Sequence, residues 1–321
     1  MRSFIPLLLL AACSAGGEAV ESNAAAASQA IGGRPFQVRP IAAFDEPWAM
    51  AFLPGPGPRA LITEKKGKLK LLWSDTGRVG DVAGAPAVDY GGQGGFGDVV
   101  LHPGFARNRL VYLSWVEAGE GNRRGAVVGR ARLLEDGNRP RLEGLQVIWR
   151  QSPKLSGRGH FGHRIAFGPD GKLYISNGDR QEFTPAQDMS GTLGKIVRLN
   201  DDGGVPRDNP FASRGGVTAQ IWTLGHRNPL GMAFDRSGRL WAIEMGPEGG
   251  DELNLIERGR NYGYPIVSNG DHYGGRAIPD HRTRPEFEAP KVTWTPVISP
   301  GNMIFYSGSA FPGWRGDILV A

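Results

Sequence analysis

Short apolar runs separated by polar turns recur along most of the chain, and helical periodicity is nearly absent. Five segments share one template, in which an apolar run with a large residue leads through a turn to a second apolar run. They begin at Ala49, Val99, Ile165, Gly231 and Met303. Short apolar runs bounded by turn residues are typical of β-strands. Each copy therefore predicts a β-hairpin.

The spacing of the copies predicts the architecture. Their starts lie about fifty to seventy residues apart, which leaves room for a four-stranded propeller blade with loop insertions. Further strand-like runs lie between the copies, at 68–72, 195–199 and 253–256. A β-sandwich is the alternative, but it does not predict recurring copies of one hairpin. The sequence predicts an all-β fold of the β-propeller type.

The end of the chain bears on how many blades are present. Ala321 falls at the end of the second strand of the fifth copy. Propellers avoid free sheet edges by closing the ring, and a ring that stopped here would expose an unpaired edge. We therefore expect about five blades, with the C-terminal closure missing.

Composition agrees with many short strands joined by turns. The 49 Gly and 24 Pro are spread along the 321 residues, together with 14 Phe, 8 Trp and 7 Tyr. The net charge of +5 comes from 37 basic residues interleaved with 32 acidic ones. No long basic run or stacking motif accompanies this excess, so we expect no nucleic-acid partner.

The N-terminus predicts export. Residues 1–13 combine a short positive start, an apolar stretch too short to span a bilayer and a small-residue cleavage site, and they form a predicted signal peptide. The ending Leu10–Cys13 resembles a bacterial lipobox, so Cys13 is the expected site of lipidation. Residues 14–33 predict a flexible linker, and 34–321 the propeller domain. We expect a periplasmic protein that contacts the outer membrane only through a lipid at Cys13.

One hairpin carries candidate chemistry. Its two runs are joined by a Pro-Asp-Gly turn at 169–171, and the two ends of such a hairpin lie side by side. We expect His160, Arg164, Asp179 and Arg180 to gather at one rim. A histidine with a carboxylate in reach is the smallest unit of general-base chemistry. The alternative is a surface histidine beside a turn.

With the repeat and the His160 hairpin established, the chain resembles the soluble quinoprotein glucose and aldose sugar dehydrogenases, which are six-bladed propellers. The resemblance runs from about Phe44 to the end and rests on several separated motifs in order. These motifs are Gly92–Gly95 before Leu101–Pro103, the His160 hairpin, Gly194–Asn200, Gly225–Pro229, Glu244–Pro247, Asp251–Leu255 and Asn261–Pro265.

The resemblance implies oxidation of the anomeric hydroxyl of an aldose to the lactone, with hydride passing to pyrroloquinoline quinone (PQQ) and then electrons to an external acceptor. By position, His160 is the expected general base and Asp179 the residue that orients its ring. Arg227 and Asn228 would lie against the quinone, where the Arg227 cation can hold developing charge. Gln93 would donate to substrate or quinone oxygens. The alternative for the Arg227 segment is an ordinary turn capped by its own side chains.

Calcium follows from the same resemblance. The backbone carbonyls of Gly246 and Pro247 are the expected ligands of a calcium ion that holds the quinone, since this hard cation takes oxygen ligands. A second, structural calcium is implied at Glu252, at the carbonyl of Tyr262 and at Asp271. The alternative for Glu252 and its acidic neighbour is a solvated pair.

Departures from the family pattern leave other functions open. Gly159 stands where glucose-oxidising relatives carry an acidic residue, which favours a broad aldose range. The family's lysine and arginines for the quinone carboxylates would follow Ala321, so this chain alone is expected to hold PQQ weakly or not at all and to be inactive without them. One alternative is a calcium-dependent propeller hydrolase, such as a lactonase, in which His160 and Asp179 activate water on a ring of metal ligands. Another is a non-catalytic propeller that binds a carbohydrate or a protein partner through an exposed aromatic patch.

Overall fold

The computed structural model describes residues 36–135 and 139–321. The predicted signal peptide, Cys13 and the linker lie outside this part of the chain. None of the helices found within it has the length and apolar character that a membrane span requires.

The described residues form four antiparallel sheets of four strands and one sheet of two strands, each in simple sequential order. The first sheet contains β1 (Pro47–Leu53), β2 (Arg59–Glu64), β3 (Lys68–Trp73) and β4 (Arg78–Val82). The second contains β5 (Phe96–Leu101), β6 (Leu110–Ala118), β7 (Arg124–Leu134) and β8 (Arg141–Arg150). The third contains β9 (Gly162–Phe167), β10 (Leu173–Asn177), β11 (Lys195–Leu199) and β12 (Ile221–Leu224). The fourth contains β13 (Pro229–Phe234), β14 (Leu240–Glu244), β15 (Asp251–Ile256) and β16 (Val292–Trp294), and the fifth contains β17 (Met303–Phe305) and β18 (Ile318–Val320).

Among the residues that the structure describes, helical structure is confined to single turns between the strands. In the described ranges there is one short α-helix, α1 (Phe105–Asn108). The 3₁₀ turns are Thr184–Ala186, Ala212–Arg214, Thr218–Gln220, His281–Thr283 and Pro312–Trp314.

Each of the five predicted hairpins forms the first two strands of one sheet, so the repeat is confirmed. The first strands β1, β5, β9, β13 and β17 contact one another in that order, which places them side by side at the centre. This arrangement is a β-propeller, as predicted. Within residues 36–135 and 139–321 it comprises four complete blades and a two-stranded fifth sheet.

The core lies between the blades. Consecutive residues on a strand face opposite sides of the sheet, and both sides are covered by neighbouring blades. Thus Leu113 packs between the first and second sheets, while the adjacent Tyr112 packs between the second and third. In the same way Ile175 and Tyr174 belong to different clusters on the two sides of the third sheet. Each fully buried aliphatic side chain stabilises this stacking by about 1.5–3 kcal/mol.

Strand direction decides where candidate residues meet. In every hairpin, the start of the first strand and the end of the second lie at the same end of the sheet, because the two strands are antiparallel. His160 precedes β9 and Asp179 follows β10, while Asn228 precedes β13 and Gly246 follows β14. The fold therefore collects these corners at one end of the propeller.

Candidate active site

His160 and Asp179 form a buried pair at this end of the third blade. His160 Nδ1 lies 2.6 Å from Asp179 Oδ1, and the Asp179 side chain has no exposed surface. A carboxylate on Nδ1 places the Nδ1 proton between the two groups and leaves Nε2 as the lone-pair nitrogen. Within the described residues Nε2 makes no hydrogen bond. The pair is thus arranged to accept a proton at Nε2.

Local backbone geometry brings the pair together. The hairpin register places Asn177 opposite Gly162, so the residues just outside both strands are adjacent. Gly178 fits here because a Cβ at this position would lie 2.2 Å from the carbonyl oxygen of His160. Only glycine allows the chain before Asp179 to approach the histidine backbone so closely.

The loop after Asp179 is backbone-strained and held by the same carboxylate. The backbone of this loop has positive φ, between 60° and 65°, at Arg180, Gln181 and Phe183. Residues other than glycine rarely adopt this conformation. Asp179 Oδ1 accepts the amide of Gln181 at 3.0 Å, and Oδ2 accepts the amide of Phe183 at 3.2 Å. Such strain persists only where the surroundings fix the backbone. Asp179 therefore orients the ring of His160 and also secures this loop.

Gln93 meets the histidine from the second blade. Its Oε1 accepts the backbone amide of His160 at 2.6 Å, although the residue itself is exposed. Because the amide oxygen is engaged, the Nε2 group of Gln93 is the part that can donate to a ligand.

Arg227 and Asn228 are held by a buried carboxylate that the sequence reasoning did not assign to the site. Glu244 Oε2 accepts the backbone amides of Arg227 at 2.7 Å and of Asn228 at 3.3 Å. Its Oε1 accepts from His226 Nδ1 and from Asn254. The motif Glu244–Pro247 was the available signal, but only the fold shows that its carboxylate supports the Arg227 corner.

Several buried polar atoms around this corner have no partner among the described residues. They are Arg227 Nε, Asn228 Oδ1 and the hydroxyl of Tyr264, which lies close to the Arg227 guanidinium without a well-formed hydrogen bond to it. Burial, with the negative charge of Asp179 next in importance, raises the pKa of the Tyr264 hydroxyl, so it remains a neutral donor. Buried polar groups are normally satisfied, and a cluster that is not indicates a place for a polar ligand. These donors and this acceptor fit a cofactor rich in oxygen and nitrogen atoms.

The carbonyls of Gly246 and Pro247 are buried and receive no hydrogen bond within the part of the chain described. The turn that carries them is fixed by Asp251, whose Oδ1 accepts the amide of Gly246 at 2.8 Å. Asp251 Oδ2 accepts the amides of Ile298 and Ser299, each at 2.8 Å. Unpaired carbonyl oxygens on a fixed turn fit a calcium ligand set.

The residues expected for a second calcium are engaged elsewhere. The Tyr262 carbonyl accepts from His281 Nε2 at 3.1 Å, and Asp271 Oδ1 accepts the amide of Ile278 at 2.9 Å. Burial, followed by the charge of Glu244, raises the pKa of Glu252 well above its ordinary value. No group of three or more His, Cys, Asp or Glu side chains suited to a metal occurs in the described ranges. The second calcium stays a prediction.

Two arginines expected at the rim are engaged in structural contacts instead. Arg164 Nη2 donates to the carbonyl of Gly301 at 2.8 Å, and its Nη1 lies 3.5 Å from Asp98. Arg180 donates to the carbonyls of Gly157, Gly159 and Arg124 and lies over the Phe161 ring. Both side chains are buried, and most of their partners lie outside the His160 hairpin, so the hairpin pattern does not reveal them.

Known proteins resemble this chain in sequence and in fold. The sequence model of the Glucose / Sorbosone dehydrogenase family matches residues 44–321. Aldose sugar dehydrogenase YliI of Escherichia coli is 39% identical over 279 residues, which cover 86% of this chain and 74% of the relative.

Two solved structures show the same fold. A glucose dehydrogenase superimposes with a TM-score of 0.81 at 43% identity, covering 86% of this chain and 80% of its own. The PQQ-bound aldose sugar dehydrogenase of Streptomyces coelicolor gives 0.69 at 31% identity, covering 83% and 73%. From the match to the family sequence model and the identity to the relatives, we conclude that the chain belongs to the glucose / sorbosone dehydrogenase family.

Proposed function

We propose that this protein oxidises the anomeric hydroxyl of an aldose to the lactone, using PQQ and calcium bound beside Arg227. The observation that carries the proposal is the buried His160–Asp179 pair, with Nε2 of His160 free to accept a proton. Unpaired polar atoms of Arg227, Asn228 and Tyr264 surround the same end of the propeller. The E. coli relative is named an aldose sugar dehydrogenase and the Streptomyces structure holds PQQ, which supports the assignment.

His160 performs the proton transfer in this proposal. Its Nε2 takes the proton of the anomeric hydroxyl, while the C–H electron pair leaves the sugar as hydride and the C–O bond becomes a carbonyl. PQQ, when bound, supplies the two-electron acceptor for that hydride. Asp179 stabilises the imidazolium that forms, because its carboxylate stays on Nδ1 throughout. Proton and hydride together account for the oxidation of the hemiacetal to the lactone.

The remaining residues bind and orient. Arg227 presents its guanidinium as a fixed cation with an unpaired Nε–H donor. Tyr264 offers a further donor and Asn228 an acceptor to cofactor oxygens and nitrogens. The free amide group of Gln93 donates to a sugar or quinone oxygen beside His160. The carbonyls of Gly246 and Pro247 would hold calcium, which acts on oxygen ligands as a Lewis acid and a template.

The absence of a side chain at Gly159 favours a broad aldose range. A Cβ there would lie 2.2 Å from Oε1 of Gln181, so Gln181 occupies the space that a side chain would take. Gln181 presents a neutral amide next to His160 in place of an acidic group. We expect several aldoses to be oxidised with similar efficiency.

Reconstitution tests the proposed reaction. The full-length protein is loaded with calcium and PQQ, and dye reduction is followed with several aldoses. We expect turnover that His160→Ala lowers by about 10²–10⁴-fold. His102→Ala is the matched control, because His102 follows β5 and therefore lies at the end of the propeller opposite to His160. There it contacts Asp201. The proposal is contradicted if the wild type, mixed with calcium and PQQ, binds no PQQ and reduces no dye. Calcium-dependent lactone hydrolysis by that preparation would identify the hydrolase instead.

Export and anchoring are a separate proposal. The lipobox-like ending at Cys13 is the feature that supports a lipid anchor on the outer membrane. Mass spectrometry of the membrane fraction should show a mature chain that begins with a lipidated Cys13. An unmodified Cys13 in that fraction would rule the anchor out.

A further inference from the structure

Lys195, the first residue of β11, carries a buried ammonium that the proposed reaction does not use. The residue has no exposed surface, and Nζ donates to the backbone carbonyls of Pro185 at 2.8 Å, Ala186 at 2.9 Å and Leu193 at 2.7 Å. All three ammonium hydrogens therefore meet carbonyl oxygens, as in a backbone cage for a cation. Burying an ammonium without a paired carboxylate is costly, so its presence calls for a role.

Through these hydrogen bonds Lys195 joins the middle of the loop after His160 and Asp179 to the end of that loop. Residues 180–193 run from Asp179 to the start of β11, and the three carbonyls come from the middle and the far end of this loop. One ammonium thus fixes the position of Pro185–Ala186 relative to Leu193. Burial lowers the pKa of the Lys195 amine from 10.5 to about 7, and the charge of Asp188, in the same loop, opposes this shift. The three carbonyl acceptors match the three hydrogens of the protonated form.

Gly194, directly before Lys195, connects the two halves of the candidate site. Its amide donates to the carbonyl of Gly178 at 3.0 Å, and its carbonyl accepts the amide of His226 at 3.1 Å. Gly178 precedes Asp179 in the chain, and His226 precedes Arg227. The Gly194–Lys195 step therefore lies between the general-base corner and the Arg227 corner.

The loop is also bonded directly to the Arg227 side. The Ala186 carbonyl that accepts from Lys195 also accepts the amide of Gly225 at 3.0 Å. Gly194 has φ +64°, and a Cβ there would lie 2.6 Å from both Ala186 Cβ and the carbonyl oxygen of His226. Only glycine therefore fits between the loop at Ala186 and the backbone of His226.

We propose that Lys195 is a positioning residue for the oxidation. Its ammonium holds loop 180–193 against Gly194 and so fixes the His160–Asp179 pair relative to Arg227 and Asn228. The kinetic part of this inference rests on the proposed function, whereas the part that concerns the order of the loop does not.

The first test replaces the ammonium by an uncharged chain of similar size. In Lys195→Met, we expect hydrogen exchange of residues 180–193 to accelerate and kcat of the loaded full-length protein to fall by about tenfold or more, with a smaller change in KM. Lys172→Met is the control, because Lys172 lies in the same blade and donates to Asn200 at 2.8 Å. It should leave both readouts unchanged. Should Lys195→Met fail to fold, Lys195→Gln keeps a donor and replaces it.

The second test is chemical rescue. In Lys195→Ala, n-propylammonium supplies the missing atoms and N–H donors, and it should restore part of the loop protection and of kcat. Tetramethylammonium has the same charge but no N–H, so it should restore neither. Unchanged loop exchange and kcat in Lys195→Met, or no difference between the two cations, would overturn the inference. If the wild type reduces no dye, the proposed function fails, and the exchange measurements still decide the role of Lys195 in the loop.

Discussion

Asp179→Asn separates the orientation of His160 from its chemistry. The carboxylate accepts three hydrogen bonds, from His160 Nδ1 at 2.6 Å and from the amides of Gln181 and Phe183. The side chain of asparagine has one acceptor oxygen, whereas the carboxylate of aspartate has two. If that oxygen faces His160 and Gln181, the new amide group opposes the N–H of Phe183, and one hydrogen bond is lost.

The structure sets the size of both effects. Phe183 is 43% exposed, so the loss of its hydrogen bond costs about 0.5–1.5 kcal/mol of folding stability. A hydrogen bond to a charged group exceeds a neutral one by about 1–2 kcal/mol, and this difference is lost when the imidazolium forms. Applied to the barrier, it lowers kcat by roughly 5- to 30-fold.

The assay measures kcat by dye reduction with loaded protein and stability by urea unfolding. Asp208→Asn is the matched control, because Asp208 lies on the same blade and is largely exposed, and its side chain pairs with Arg198 alone among the described residues. It should leave kcat unchanged. A value of kcat for Asp179→Asn within twofold of the wild type, together with reduced stability, would refute an orienting role and leave Asp179 as a loop anchor only.

Three further expectations follow. Arg227→Lys removes the unpaired Nε, so PQQ affinity should fall by about tenfold in a fluorescence titration, and unchanged affinity would place the quinone elsewhere. Asp251→Asn frees part of the Gly246 turn, so calcium should bind more weakly in a calorimetric titration, whereas wild-type affinity would remove these carbonyls from the calcium site. Burial lowers the pKa of His163 from 6.5 to about 3. Below pH 6.5 the unfolded chain therefore binds a proton that the folded chain does not, and unfolding free energy should fall by about 2 kcal/mol between pH 7 and pH 5. His163→Gln should flatten this dependence in urea titrations, and an equal slope in both proteins would contradict it.

The sequence by itself determined the repeat and the meeting of His160 with Asp179. Alternating apolar runs and a Pro-Asp-Gly turn are local features, so they predicted the hairpins and placed His160 near Asp179 without knowledge of the rest of the chain. Interactions within one hairpin require only its own residues, which explains why this part could be predicted.

Tertiary structure decided what surrounds that corner. Glu244 supports Arg227 from the next strand of its blade, and Lys195 meets carbonyls of a loop whose path no periodicity describes. Arg164 was expected at the rim but reaches Asp98 of the second blade and Gly301, which precedes β17 of the fifth sheet. Arg164 and Gly301 lie 137 residues apart in the sequence, whereas Lys195 and Leu193 are only two apart but meet through the path of the loop. A buried charge takes whichever acceptors the folded backbone brings within about 3 Å of it. Only the packing of the blades against one another and the path of the loops determine which acceptors those are.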